Sequence, residues 1–401
     1  MKNKKVVLAY SGGLDTSYCV AYLSQELGLD VHAVTVQTGG FSPTELQAIE
    51  TRAYQLGAEH FEVLDQVETY YHKCIRYLLY GNVLRNHCYP LSVSAERSFQ
   101  ALAVAQYALT LGADYLAHGS TGAGNDQVRF DLIFEILAPE MSILTPIRDQ
   151  QLSRTATTTW LREKGFDWEW TQAQYSINQG LWGTSVGGSE TLSSDQALPD
   201  SAYPSPLRAE SPREVTLQFE KGEIIGIDGQ TFAHPLEAIT HLQALAAPYA
   251  IGRDTHVGDT IIGIKGRVGF EAAAPLLLIK AHQLLEKHVL SKWQLHWKDQ
   301  LANWYGMLLH EGQYLEALMR NIECFLEDTQ ERVSGQVRVK LLPYRFELLG
   351  IESPHDLMQA KFGAYGEMNR AWTGEEVRGF TKILANAGKI AHAVHPNSLA
   401  L

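Results

Sequence analysis

Positive charge is in short supply along these 401 residues. Lysine and arginine number 33 against 45 acidic side chains, a net charge of −12. Nucleic-acid binding rests on a basic footprint that neutralises phosphates, so this balance argues against a nucleic-acid partner. Cysteine is scarce as well. Cys19, Cys74, Cys88 and Cys324 are scattered, none in C-x-x-C spacing, which rules out a disulfide framework and suits reduced thiols in the cytoplasm. No apolar run approaches the roughly 18 residues of a membrane span. The run behind the basic start MKNKK is too short for a signal peptide. His282, His288 and His296 lack the i, i+4 spacing of a helical metal pair, and no metal site is expected. A phosphate loop of the form G-x-x-x-x-G-K-[ST] is also missing, for Gly388-Lys389 is followed by Ile390.

What is present is a globular composition, 45% hydrophobic and 19% charged, long enough for two or three domains. The first part alternates strand-like and helix-like segments, the mark of an α/β parallel sheet. VVLAY (6–10), DVHAVTVQT (30–38), HFEVLD (60–65), ADYLAHG (113–119) and MSILTP (141–146) read as strands. Residues 16–28, 42–57 and 96–112 read as helices. The second helix carries Ser42 as N-cap, Pro43 at its first position and Glu45 at the capping-box position. From 183 to 213 the chain is rich in Gly, Ser and Pro and reads as a long surface connection. Two strands flank Lys221-Gly222, a helix covers 234–250, and 251–271 is a glycine-dense stretch. From 275 to about 330 the pattern is helical. Trp293, Trp297 and Trp304 lie on one helix face, expected to be core or subunit interface rather than a ligand box. Near the end, Val377, Phe380, Ile383, Leu384 and Ala387 share one side of an amphipathic helix that Pro396 closes.

The stretch AYSGGLDTS, Ala9 to Ser17, joins the first strand to the first helix. A helix N-terminus offers unpaired N–H groups and a partial positive charge. Gly12 and Gly13 let the backbone approach a phosphate, and Ser11, Thr16 and Ser17 add hydroxyls. Asp15 suits a bridge to phosphate through Mg²⁺. Without the lysine that reaches β- and γ-phosphates, the loop points away from simple γ-phosphoryl transfer. A second cluster, AHGSTGAGNDQVRFD (117–131), follows a later strand. Where open α/β sheets bind ligands, it brings together hydroxyls, amides, acids and Arg129. Arg129 can fork onto a carboxylate, and Asn125 and Asp126 can accept from an ammonium. Those are the needs of an amino-acid zwitterion.

The S-G-G-x-D-[ST] form resembles the pyrophosphate loop of the N-type ATP pyrophosphatases. With GNDQVRF after A-H-G, and with order and spacing kept along nearly the whole chain, the sequence resembles the argininosuccinate synthase family. The resemblance implies an adenine nucleotide alpha hydrolase-like parallel sheet domain over 1–175. It also implies an α+β synthetase and multimerisation domain over 176–373 and a C-terminal oligomerisation helix over 374–401. It implies ATP, with Mg²⁺, citrulline and aspartate as ligands, and a homotetramer. The ureido oxygen of citrulline would attack the α-phosphate, pyrophosphate would leave, and aspartate would displace AMP from citrullyl-adenylate. Carried across, ATP falls on Ala9, Tyr10, Ser11, Gly12, Gly13, Leu14, Asp15, Thr16 and Ser17, then on Val36 and Gly119. Aspartate falls on Thr121, Asn125 and Asp126. Citrulline falls on Tyr89, Ser94, Asn125, Arg129, Ser176 and Ser185. Asp15, Asp126 and Arg129 are the expected catalytic residues, Asp126 being the candidate to take the proton of aspartate's ammonium.

The chain also departs from the family pattern. In YPLSVSAERS (89–98), Ser92, Val93, Glu96 and Ser98 stand for Gly, Thr, Ala and Pro. In YSINQGL, Asn178 and Gly180 replace an acid and an amide. Gly258 and Phe270 stand where the pattern has a glutamate and a tyrosine against citrulline. Two consequences stay open: other groups such as Asp259 replace those contacts, or the pocket takes a citrulline whose α-amine is blocked. A non-catalytic ATP sensor is the alternative of a different class.

Overall fold

In a computed structural model the chain is described over residues 4–166, 168, 175–359 and 371–395. Strands β1 (Lys5–Ala9), β2 (Asp30–Gln37), β3 (His60–Asp65), β4 (Tyr115–His118) and β5 (Ser142–Leu144) make one sheet in the order β3-β2-β1-β4-β5. Every pairing in it is parallel. The chain builds outward from β1 to β3, then crosses to the other side for β4 and β5. The reversal opens a crevice at the carboxyl ends of β1 and β4, where such sheets take ligands. Side-chain alternation sends Val6 and Leu8 into one core layer with Tyr18, Val20 and Ile49. Val7 enters the opposite layer with Val34, Val104 and Ile133. Both faces are covered, which is why these strands read as continuous apolar runs.

The helices follow local chemistry. Pro43–Gln55 has the expected capping box, Ser42 accepting from the Glu45 amide while Glu45 accepts from Ser42. The next long helix, Ser92–Leu111, starts four residues before the expected 96. Leu91 is left-handed at φ +61° and turns the chain in, so Ser92, Val93 and Ser94 become the first turn. No apolar periodicity marks that turn.

Beyond residue 175 the sheets are antiparallel. Strands β6 (Ser176–Gly180) and β7 (Gly183–Gly187) form a hairpin. Strands β8 (Arg213–Glu220), β9 (Glu223–Ile227) and β10 (Gln230–Thr231) follow, then β11 (Arg253–Asp259), β12 (Lys265–Glu271), β13 (Gly335–Leu342) and β14 (Arg345–Glu352). They assemble as β10-β9-β8-β13-β14 and β11-β12-β7-β6. The surface connection expected from 183 therefore begins later. Gly183–Gly187 is a strand because its small residues fit against β12 and the Ser92–Leu111 helix, and a Cβ at Gly183 would come within 2.9 Å of Ser92. The glycine-dense 251–271 stretch is the β11–β12 hairpin.

Trp293, Trp297 and Trp304 are 64%, 58% and 54% exposed, so the stripe is not core. Its helix, Lys292–His310, buries Ala302, Tyr305, Leu308 and Leu309 instead. His282 is fully buried in the helical layer. Residues from Asp356 form a separate compact unit. Within it the single expected C-terminal helix is two, Gly374–Leu384 and Asn386–Val394, with Val377, Phe380, Ile383 and Leu384 exposed. Pro396 lies outside the described residues. Among the described residues no helix is long and apolar enough to cross a membrane.

Candidate active site

The crevice at the sheet's carboxyl edge deepens into a cavity of about 950 Å³. The β1 loop forms its floor. Gly13 is the N-cap of the Leu14–Gln25 helix, with no side chain capping the first turn. The hydroxyls of Ser11 and Thr16 lie 3.2 Å apart at the lip. Gly12 shapes the loop from behind: its φ is +73°, a Cβ there would stand 2.8 Å from Ile49, and its carbonyl accepts from Arg52 Nη1 at 2.5 Å. Glycine is thus demanded by both backbone angle and close approach. Asp15 faces the cavity and accepts no hydrogen bond from the described residues. Burial pushes the pKa of its carboxyl up, and the charge of Arg154 partly offsets this.

The loop after β4 forms the second wall. His118 pairs with Asp131 at 2.8 Å, and Asp131 also takes Arg148 at 2.5 Å. That triad fixes the base of the loop. Thr121, Asn125, Asp126 and Arg129 line the cavity above it. Asn125 Oδ1 accepts from the Ile261 amide at 2.9 Å, tying this wall to the β11–β12 hairpin. Arg129 is 3% exposed. Its fork is turned onto the His310 carbonyl, from Nε at 2.9 Å and Nη2 at 2.8 Å, and only Nη1 reaches Asp126, at 2.8 Å. Its expected bidentate grip on a ligand carboxylate is therefore already occupied by backbone. Asp126 also accepts from Arg97 at 3.2 Å, and the two guanidiniums hold its carboxyl below the ordinary range against the cost of burial.

The third wall joins the start of the Ser92–Leu111 helix to the β6–β7 hairpin and β11. Tyr89, Ser94, Ser176 and Ser185 all line it. Every residue named from the sequence as nucleotide, aspartate or citrulline contact lines the cavity except Gly12 and Ser17. Ser17 is fully buried, and its amide closes the first helical turn onto the Gly13 carbonyl at 2.9 Å. Phe270 is buried outside the cavity, packed on Tyr89 at 5.3 Å. Asp259 does line the cavity, but its carboxylate pairs with Lys265 at 2.6 Å in an exposed position.

Several lining groups were not anticipated. His256 stacks on Tyr89 at 5.1 Å, and its Nε2 would be 2.7 Å from a Cβ at position 258. The imidazole occupies the room that a side chain at Gly258 would need. His310 is buried behind Arg129, and burial with that neighbouring charge pushes its pKa down to about 3. Burial and Arg85 also lower His256. This end of the cavity therefore presents two neutral imidazoles. Glu96 is 3% exposed at the cavity wall, and burial pushes its carboxyl up to about 7. The sequence had signalled it only as a departure from a pattern. Nothing local signals His310, which lies 181 positions from Arg129.

Away from the cavity, Asp30, His32 and His60 bring one donor atom each within 4.8 Å. The two rings stack at 4.4 Å and 28°, and Lys5 sits in register beside Asp30.

A five-stranded parallel sheet with a lysine-free phosphate loop on its first strand, opening at the switch point onto acids, amides and arginines, defines a nucleotide-binding enzyme of the HUP class. Family models agree on both halves: the arginosuccinate synthase N-terminal HUP domain matches residues 5–167, and the arginosuccinate synthase C-terminal domain matches residues 175–391. The chain is 34% identical over 385 residues to argininosuccinate synthase of Dictyoglomus thermophilum, covering 96% of each. It is 36% identical over 395 residues to that of Xanthomonas campestris pv. campestris, covering 96% of this chain and 97% of the relative. It is 34% identical over 364 residues to that of Methanocaldococcus jannaschii, covering 90% and 91%. The chain belongs to the argininosuccinate synthase family, and so to the carbon–nitrogen ligases.

Proposed function

We propose that the chain condenses citrulline with aspartate to argininosuccinate, converting ATP to AMP and pyrophosphate through a citrullyl-adenylate, as a step of arginine biosynthesis. The observation that carries this reading is one cavity of about 950 Å³ lined by both the phosphate loop and the Thr121–Asn125–Asp126–Arg129 cluster. That volume suits a nucleotide with an amino acid beside it. The amides at the start of the Leu14–Gln25 helix and the hydroxyls of Ser11 and Thr16 receive the β- and γ-phosphates. Val36 and Gly119 contact the adenosine, and Thr121, Asn125 and Asp126 take aspartate. Tyr89, Ser94, Ser176 and Ser185 hold citrulline with its ureido oxygen toward the α-phosphate. Most of the rate comes from this positioning and from charge neutralisation. Asp15, whose carboxyl accepts no hydrogen bond among the described residues, suits a Mg²⁺ ion arriving with ATP, which would supply charge neutralisation on the phosphates.

The experiment is release of AMP and pyrophosphate from ATP with aspartate and citrulline. Turnover supports the ligase reading. ATP binding without turnover on any ureido acceptor supports a sensor. A second reading, an acceptor whose α-amine is blocked, is favoured by the neutral His256 beside Gly258. Turnover with Nα-acetylcitrulline and none with citrulline would establish it. A homotetramer is supported by the exposed apolar face Val377, Phe380, Ile383 and Leu384, and sedimentation of the intact chain tests it. Four free cysteines suit a reducing cytoplasm.

A further inference from the structure

We propose that Glu96 is the general base of the second half-reaction, taking the proton that aspartate's ammonium must lose before it attacks. This rests on the ligase reading above.

Glu96 lies in the second turn of the Ser92–Leu111 helix, at the cavity wall. Thr38 Oγ1, just past the end of β2, donates to its Oε2 at 3.2 Å. Arg97 Nη1 donates to its Oε1 at 3.2 Å. Across from it runs β6, and a Cβ at Gly180 would fall 2.6 Å from Glu96 Oε2. The strand thus makes room for this carboxyl. Arg97 turns its Nε to Asp126 Oδ2 at 3.2 Å. Two carboxyls therefore flank one guanidinium, and the second belongs to the cluster that takes aspartate.

The two acids are suited to different work. Asp126 is bonded by Arg97 and Arg129, which stabilise its ionised form and make it a poor proton acceptor. Its expected role as the base is better filled by Glu96. Glu96 receives one shared guanidinium contact and a hydroxyl, while burial and the Asp126 charge favour its protonated form. Tyr70 is a further titratable group near it, its hydroxyl donating to the Ser92 carbonyl at 3.4 Å. A carboxyl poised near neutrality can take and release a proton within one turnover.

The step balances as follows. Aspartate enters as an ammonium, and Glu96 takes one of its three protons. The freed lone pair forms the C–N bond at the ureido carbon of the adenylate. The new nitrogen sheds a second proton to the departing phosphate as the C–O bond breaks. AMP leaves, and the product carries a guanidinium. Glu96 returns its proton to solvent.

Glu96→Gln and Glu96→Asp test the role. Positional isotope exchange in ATP with citrulline alone reads activation, and single-turnover AMP formation after aspartate addition reads transfer. Glu96→Gln is expected to lose about 100-fold or more in transfer and at least tenfold less in exchange. Its transfer rate should climb with pH as aspartate's own amine deprotonates, where the parent levels off near neutrality. Glu96→Asp should restore part of the transfer. Equal losses in exchange and transfer, or a Glu96→Gln pH profile matching the parent's, would overturn the role. Absence of exchange in the parent itself, with citrulline or its acylated form, would show instead that the ligase reading has failed and the role with it.

Discussion

Two carboxyls share the guanidinium of Arg97, and their surroundings drive their acidities apart. That difference has a consequence for stability. Glu96 has an ordinary value of 4.5 and a folded value of about 7. Its contribution is therefore fully present below 4.5 and is lost as pH rises through about 7. Glu96→Gln cannot ionise. It is expected to melt above the parent at about pH 8 and level with it near pH 4.5, which thermal scans at the two pH values will read. His310 works in the opposite sense: with a folded value of about 3 against an ordinary 6.5, it favours the fold above 6.5 and costs stability as pH falls toward 3. At the citrulline end, Gly258→Glu forces its Cβ to 2.7 Å from His256 Nε2. Overpacking of this kind costs about 1–3 kcal/mol. In a His256→Ala background the cost should largely disappear, and KM for citrulline should fall as a carboxylate becomes available to its ammonium. Urea melts and kinetics of the two single variants and the double variant close the cycle.

Among the elements, Pro43–Gln55 shows a helix whose local chemistry serves the site at one remove. Its Ile49 lies against Gly12 and its Arg52 holds the Gly12 carbonyl. Ser42→Ala removes the capping box and is expected to cost about 1 kcal/mol. Because the helix braces the phosphate loop, the same variant should raise KM for ATP more than it lowers kcat. This helix was legible because S-P-T-E is a complete start signal within four residues. The start of Ser92–Leu111 was not, since a left-handed Leu91 has no sequence mark. The β11–β12 hairpin was hidden because glycines at 258, 263, 266 and 269 interrupt the alternation that identifies a strand. Of the two places expected for the tryptophan stripe, core or subunit interface, the structure excludes the core for a related reason. Periodicity reports that one face is apolar, while the partner of that face is decided elsewhere; here Ala302, Tyr305 and Leu309 face inward.

Across the whole molecule, segments far apart in sequence meet in a buried polar network. Lys298 and Glu286, both fully buried, pair at 2.9 Å. Lys298 also donates to the Tyr80 carbonyl, while Asn82 and Gln330 donate to Glu286. Four distant stretches are thereby locked together. Lys298→Met leaves the buried Glu286 without its ion-pair partner, which costs about 3–5 kcal/mol. Denaturant unfolding should show that loss. Glu286→Gln combined with Lys298→Met should recover much of it, because no charge is then left buried.

The chain by itself determined the nucleotide half of the protein. A strand, a phosphate loop and a capped helix each signal within a few residues, since backbone angles, caps and apolar runs are local properties. It likewise declared the acid–amide cluster at 117–131, whose groups are gathered by a single loop. Only the tertiary structure decided what those groups face. It turned the Arg129 fork onto the His310 carbonyl, put His256 into the room left by Gly258, and set Glu96 and Asp126 on one guanidinium. Those outcomes depend on burial and on contacts across many tens of residues, and such energies belong to the packed molecule rather than to any short stretch of it.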